Sequence, residues 1–186
     1  MDDRSANQGP PQEAYGRVTN AERYRVLHDI ARALLDDLER RFEVAREVST
    51  EADQHSASAV PVVRLVPADA AASPLTVVFD DFPGLLVRMG DDCSVGLPAC
   101  GCDACDEAVE RCAEQLHDYA EVCAAGDFGE RIVQAQGWWH ERWYAFPTGT
   151  SWNPTPVDVP QRDALRRAFG GDERRWSPWP QRVGAD

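Results

Sequence analysis

There is no lysine in this 186-residue chain. All 19 basic side chains are arginine, set against 32 aspartates and glutamates, and the formal net charge is −13. Phosphate neutralisation needs a basic face and supplies most nucleic-acid affinity, so this balance argues against nucleic-acid binding. It argues equally against an anionic membrane surface. No apolar run approaches the roughly 18–20 residues that span a bilayer. The start, Met1-Asp2-Asp3-Arg4-Ser5, lacks the basic-then-apolar pattern of a secretory signal, and a cytoplasmic protein is expected. Also missing are a Gly-x-Gly-x-x-Gly, a phosphate loop, a nucleophile elbow and a His-Glu-x-x-His. With no complete catalytic constellation, the reading leans away from an enzyme.

What is present suits one soluble domain. Apolar residues make up 43% and charged residues 27%, ordinary values for a globular chain with a core. The acidic charge would speed encounter with a basic protein partner; its simplest reading is solubility.

The chain reads as α+β, and three regions are expected. Residues 1–17 form a poorly ordered arm, with Tyr15 and Val18 placed to dock on the body. Residues 18–170 form a single α+β domain, and residues 171–186 an irregular Trp/Pro-rich tail. Thr19-Asn20-Ala21-Glu22 fits a capping box, and Tyr24, Leu27, Ala31, Leu34, Leu38, Phe42, Ala45 and Val48 recur at helical spacing. This predicts one long amphipathic helix to about residue 50, followed by a polar connection to Ser58. Strands are expected over 60–66, 75–79 and 85–89, with a short one over 93–97, as an antiparallel meander. Pro61 favours a start or edge position, and Pro83-Gly84 suits a type II turn. A cysteine-rich turn then leads into a second helix, which Asp103 is placed to cap and Gly126 to stop. A β-hairpin over 128–136 and 138–146 follows, then a proline-bearing loop over 151–160 and a short helix over 161–169. Trp176 and Trp179 are expected to lie on the body.

The six cysteines divide in two. Cys112 and Cys123 share an apolar stripe with Cys105, Val109, Leu116 and Ala120, which makes those two small buried hydrophobes. Cys100, Cys102 and Cys105 fall within six residues. Cys102-x-x-Cys105 is a usual spacing for two thiolates on one ion, Cys100 adds a third, and Gly101 permits a tight backbone. A structural zinc wants a fourth ligand: Cys93 is the tentative choice, with Asp103, Asp106, His117 and His140 as others. There is no second Cys-x-x-Cys. Redox chemistry by the same thiols, or plain packing, are the alternatives.

The run Trp138 to Phe146 is the second unusual feature. Alternation puts Trp138, His140, Arg142 and Tyr144 on one face and Trp139, Glu141, Trp143 and Ala145 on the other. One face should cover the helices. The other would expose large rings, and so mark a surface for a protein or small ligand, unless the tail with Trp152, Trp176 and Trp179 covers it. Covering is the commoner arrangement. His140 with Arg142 is a candidate anion pair, though a cross-strand structural pair is commoner. The doublets Asp80-Asp81 and Asp91-Asp92 fall beside turns, where aspartate is common for backbone reasons.

Phe82-Pro83-Gly84-Leu85-x-Val87-Arg88 followed by Pro98-x-Cys100-Gly101-Cys102-Asp103-x-Cys105-Asp106-Glu107 resembles a family of actinobacterial proteins defined as a domain of unknown function. The similarity runs from Tyr15-x-x-Val18-Thr19-Asn20-x-Glu22-Arg23 to Trp176-x-Pro178-Trp179-Pro180. It implies no activity, substrate or partner. It does imply a three-thiol core in which Cys93 is not obligatory. The expectation is a soluble, non-enzymatic binding or interaction module whose cysteine turn holds a structural zinc. The alternative is a thiol-based redox or other enzyme that uses Cys100, Cys102 and Cys105.

Overall fold

The structure is a computed structural model that describes residues 9–53, 56, 58–90 and 93–184. Three helices and two antiparallel sheets make an α+β fold, as expected from the alternation of helical and period-two patterns. The elements in order are α1 (Val26–Arg41), β1 (Val44–Ala52), β2 (Ala59–Pro67), β3 (Leu75–Phe79), β4 (Leu85–Met89) and β5 (Cys93–Leu97). Then come α2 (Val109–Ala125), β6 (Phe128–Gln134), β7 (Trp138–Phe146), β8 (Gly149–Val157), α3 (Val159–Phe169) and β9 (Glu173–Arg175). The first sheet runs β1-β2-β3-β4-β5 and the second β8-β7-β6-β9. Among the described residues no helix is long and apolar enough to cross a membrane.

The first helix is shorter than its periodicity suggested. A 3-10 segment, Ala21–Arg25, leads into α1, which ends at Arg41. Phe42, Ala45 and Val48 keep a three-residue step, but Val44, Val48 and Thr50 are β-branched and alternate, which suits a strand. All nine residues of β1 pair with β2, from Val44 opposite Pro67 to Ala52 opposite Ala59. Tertiary pairing overrides the helical reading, and most of the expected polar connection is strand. The capping box at Thr19 does not form, since Asn20 makes no side-chain cap. A capping box is present instead on α3, between Asp158 and Gln161.

Strands β3, β4 and β5 stand where alternation placed them. Pro61 lies on β2 before the β3 ladder begins at Val62, so its missing N–H removes no bond from that ladder. The core face carries the cross-strand rows Leu65–Leu75–Met89–Cys93 and Val63–Val77–Val87–Val95. Against it pack Leu27, Ala31, Leu34, Leu35 and Leu38 of α1 and Cys112, Leu116, Ala120 and Cys123 of α2. Phe128, Tyr144, Trp176 and Trp179 join the same cluster from the second sheet and the tail.

The proline-bearing stretch is a strand, not a loop. β8 pairs with β7 along its whole length, with Pro154 opposite Glu141 and Pro156 opposite Trp139. It is an edge strand, where a residue without an N–H is tolerated. The tail, expected to be irregular, contributes β9, which pairs with β6. Trp176 then stacks on Phe128, and Trp179 meets Phe42 edge-on with its indole N–H donated to the Ser73 carbonyl at 2.7 Å.

Candidate metal centre

β5 ends at Leu97, and the chain turns through Pro98 and Ala99 into the three cysteines. Two features fix the path. A Cβ on Gly101 would come within 2.3 Å of the tip of the Phe82 ring, so glycine lets the turn lie against that ring where it stands. Next to it Gly84 passes within 2.7 Å, at its would-be Cβ, of the Leu97 carbonyl. Gly84 is not in the left-handed region, so a type II turn with glycine at its left-handed position does not form there; close approach is the reason for glycine.

The turn closes on itself and on the N-terminal segment. The N–H groups of Cys105 and Asp106 both donate to the Cys102 carbonyl, at 3.2 and 3.1 Å. Asp103 donates its N–H to the Arg17 carbonyl at 2.8 Å, and Ala104 to that of Ala14 at 3.2 Å. Residues 9–17 are therefore not a loose arm. A 3-10 turn, Gln12–Ala14, buries Ala14 there, while Tyr15 and Val18, expected to dock, remain exposed.

Asp103 is not a helix cap. Its carboxylate accepts from the Thr19 N–H (2.9 Å), the Thr19 hydroxyl (3.1 Å) and Arg17 Nε (2.8 Å), tying together residues more than eighty apart in sequence. The Arg17 guanidinium, with the Thr19 donors, holds that carboxyl below the usual carboxylate range. Asp106 takes Arg23, Glu107 Oε2 accepts the Cys100 N–H at 2.8 Å, and Tyr24 donates its hydroxyl to the Glu107 carbonyl at 2.9 Å. α2 starts later, at Val109, with no side-chain cap, and ends at Gly126 as expected. Cys105 accordingly lies before the helix rather than on its stripe, and it is exposed.

The three sulfurs converge. Cys100, Cys102 and Cys105 Sγ all lie within 4.8 Å of one another, and Cys100 and Cys102 are 3.2 Å apart. Sulfurs around a tetrahedral ion at ~2.3 Å are roughly 3.8 Å apart, so the set fits a soft cation with small side-chain adjustments. Cys102, which is buried, is pushed down to about 6 by the Cys105 N–H, the Cys100 thiol and the Gly16 N–H. Cys105 is pushed up to about 12, first by its hydrogen bonds with the Cys100 and Cys102 thiols, then by burial and by the charge it would place beside them. A cation placed among the three sulfurs would favour the ionised form of each.

No other expected ligand joins them among the described residues. Cys93 is buried on β5, four residues before the strand's end at Leu97, with its sulfur 2.6 Å from the Tyr144 hydroxyl. Asp103 and Asp106 are engaged by arginine. His117 lies on α2 beside Val26 and Ile30 of α1. His140 is buried, with Nε2 2.8 Å from Glu130 Oε2. His140 thus pairs with Glu130, and Arg142 bonds Thr155; the two do not act as an anion pair. Asp91-Asp92 and the turn expected there lie outside the described residues. Arg17, Thr19, Arg23, Phe82 and Glu107 also build the site; all but Arg17 fall within the family motifs, but their spacing gives none of them a role at the thiols.

Every residue of the aromatic strand is buried or half-buried. Trp138, His140 and Tyr144 face inward, and Arg162 and Arg166 of α3 lie over the Trp138 ring at 4.6 and 5.0 Å. Trp139 and Trp143 are half-buried on the other face, where Trp152 of β8 lies beside Trp143 and is 48% exposed. Trp176 and Trp179 do not cover them, being buried in the core, but Arg175 of the tail lies over the Trp143 ring.

The fold and this site define an α+β protein with a three-thiol turn able to hold a metal ion. The chain belongs to the family described as a family of unknown function (DUF6226), which matches residues 2–183. No curated protein and no solved structure matches the chain.

Proposed function

We propose that this protein is a non-enzymatic binding or interaction module of the cytoplasm whose cysteine turn holds a zinc ion on Cys100, Cys102 and Cys105. The observation that carries this reading is the convergence of three sulfurs within 4.8 Å on a backbone pinned from both sides. Zinc accepts thiolates without redox chemistry and suits a reducing compartment, where thiols are seldom locked in disulfides. Holding the ion, the turn would fasten the end of β5, the N-terminal segment and the lead into α2 to one point. The half-exposed rings of Trp139, Trp143 and Trp152 are the surface assigned to a partner protein or small ligand.

The 3.2 Å approach of Cys100 and Cys102 favours a second reading, a dithiol redox enzyme. Burial weighs against it. A redox thiol should be both ionised and accessible, whereas here Cys102 is covered and the exposed thiol is Cys105. Native mass spectrometry of the cytosolically expressed protein, with metal analysis of the same sample, separates the two. One zinc per chain, lost in Cys102→Ser, is expected; a metal-free chain with a disulfide inside the cluster would overturn the zinc reading.

A further inference from the structure

Resting on that metal site, we infer that the ion keeps one coordination position for a ligand from outside the chain, and that this ligand is a neutral donor of the imidazole or water class.

The first ground is a count of donors. Both Asp103 oxygens accept from Thr19 and Arg17, Asp106 is held by Arg23, and Glu107 Oε2 takes the Cys100 N–H. Cys93 is occupied with Tyr144, and among the described residues no fourth His, Cys, Asp or Glu donor comes within 4.8 Å of all three sulfurs. Zinc in protein sites is nearly always four-coordinate; three protein ligands plus an exchangeable one is the pattern of open sites. The second ground is access. Cys105 is exposed, so the cluster meets solvent on that side.

The choice of a neutral donor follows from charge. Three thiolates leave a divalent ion one unit negative. Around it Asp103, Asp106 and Glu107 outnumber Arg17 and Arg23, so the neighbourhood stays negative. A fourth anion would be repelled from there; a water or an imidazole would not. An imidazole could come from a histidine of a partner protein or from a free small molecule, and the chemistry recognised is the same.

The test loads the metal-free full chain with one equivalent of cobalt(II), whose visible bands report tetrahedral thiolate coordination. The sample is then titrated with imidazole and, separately, with azide. The bands should shift saturably with imidazole, which should bind on the order of tenfold more tightly than azide. Cys93→Ala should leave the spectrum unchanged. Bands that no added ligand moves, or a spectrum altered by Cys93→Ala, would overturn the open position while leaving the metal site intact. Tighter binding of azide would overturn the neutral class. Absence of thiolate–cobalt bands would sink the metal reading and this inference together.

Discussion

The first two thirds of the chain and the last third differ in charge and in the rings their arginines cover: tyrosine and phenylalanine before residue 127, tryptophan after it. Residues 1–126 carry 24 acidic side chains and 11 arginines, whereas residues 127–186 carry eight of each, so the whole net charge belongs to residues 1–126. In the first of these regions Arg17 and Arg23 reach carboxylates of the cysteine turn. In the second, Arg131, Arg162, Arg166, Arg174 and Arg175 lie over the rings of Trp152, Trp138, Trp176 and Trp143. Exposed ion pairs contribute little individually, while large buried rings contribute several kcal/mol each. The cysteine turn is held by hydrogen bonds to its own backbone and to residues 14–19, whereas the second sheet is held to the body by the buried rings of Phe128, Tyr144 and Trp176.

Trp179→Ala should make the largest change, because it empties a site 3% exposed against Phe42 and leaves the Ser73 carbonyl only the weak Cys123 thiol as donor. A loss of about 3–5 kcal/mol is expected from urea unfolding, the same with or without metal. Chelation should do the reverse. Hydrogen exchange should quicken over residues 14–19 and 100–107 and stay unchanged in β6 and β7. Loosening of the second sheet on chelation would erase the distinction drawn here.

Asp103→Ala should quicken exchange over residues 14–19 several-fold, because three donors lose their acceptor. The pH dependence has a definite sign. Arg17 and Thr19 hold the carboxyl below its unfolded value of roughly 3.9. Its contribution is therefore complete above that value and is lost as pH falls through the lower folded one. Exchange over residues 14–19 should not vary through Asp103 near neutrality and should rise only in acid; a rise already at pH 6 would contradict the assignment.

Trp152→Ala should cost under about 1 kcal/mol, the worth of an exposed ring and its Arg131 contact. Any partner captured by the outer face should nevertheless be lost with it. The smallest effect belongs to Arg88→Met. It breaks a part-exposed pair with Glu51 and should change stability by about 0.5 kcal/mol or less, with salt dependence disappearing alongside.

Legibility in the sequence followed locality. α2, its stop at Gly126 and strands β3 to β5 could be read because each shows an unbroken period. β1 could not, because Val44 to Thr50 satisfies helical and alternating spacing together and only its pairing with β2 decides. β8 was hidden by Pro154 and Pro156, whose presence means loop in a central strand and nothing unusual at an edge. At the site, the three thiols were legible from their spacing. The roles of Asp103 and Glu107 were not: an acidic residue before a helix reads as a cap, whereas Thr19, more than eighty residues earlier, claims Asp103 instead. The distance of Cys93 from the cluster likewise comes from the direction of β5, which carries it towards Tyr144.

X-ray absorption at the zinc edge on the metal-loaded protein reads the ligand set itself. Three sulfur scatterers at ~2.3 Å and one lighter donor per ion are expected, with sulfur count falling in Cys102→Ser. A shell dominated by nitrogen and oxygen, or one unchanged by that substitution, would contradict the three-thiol site.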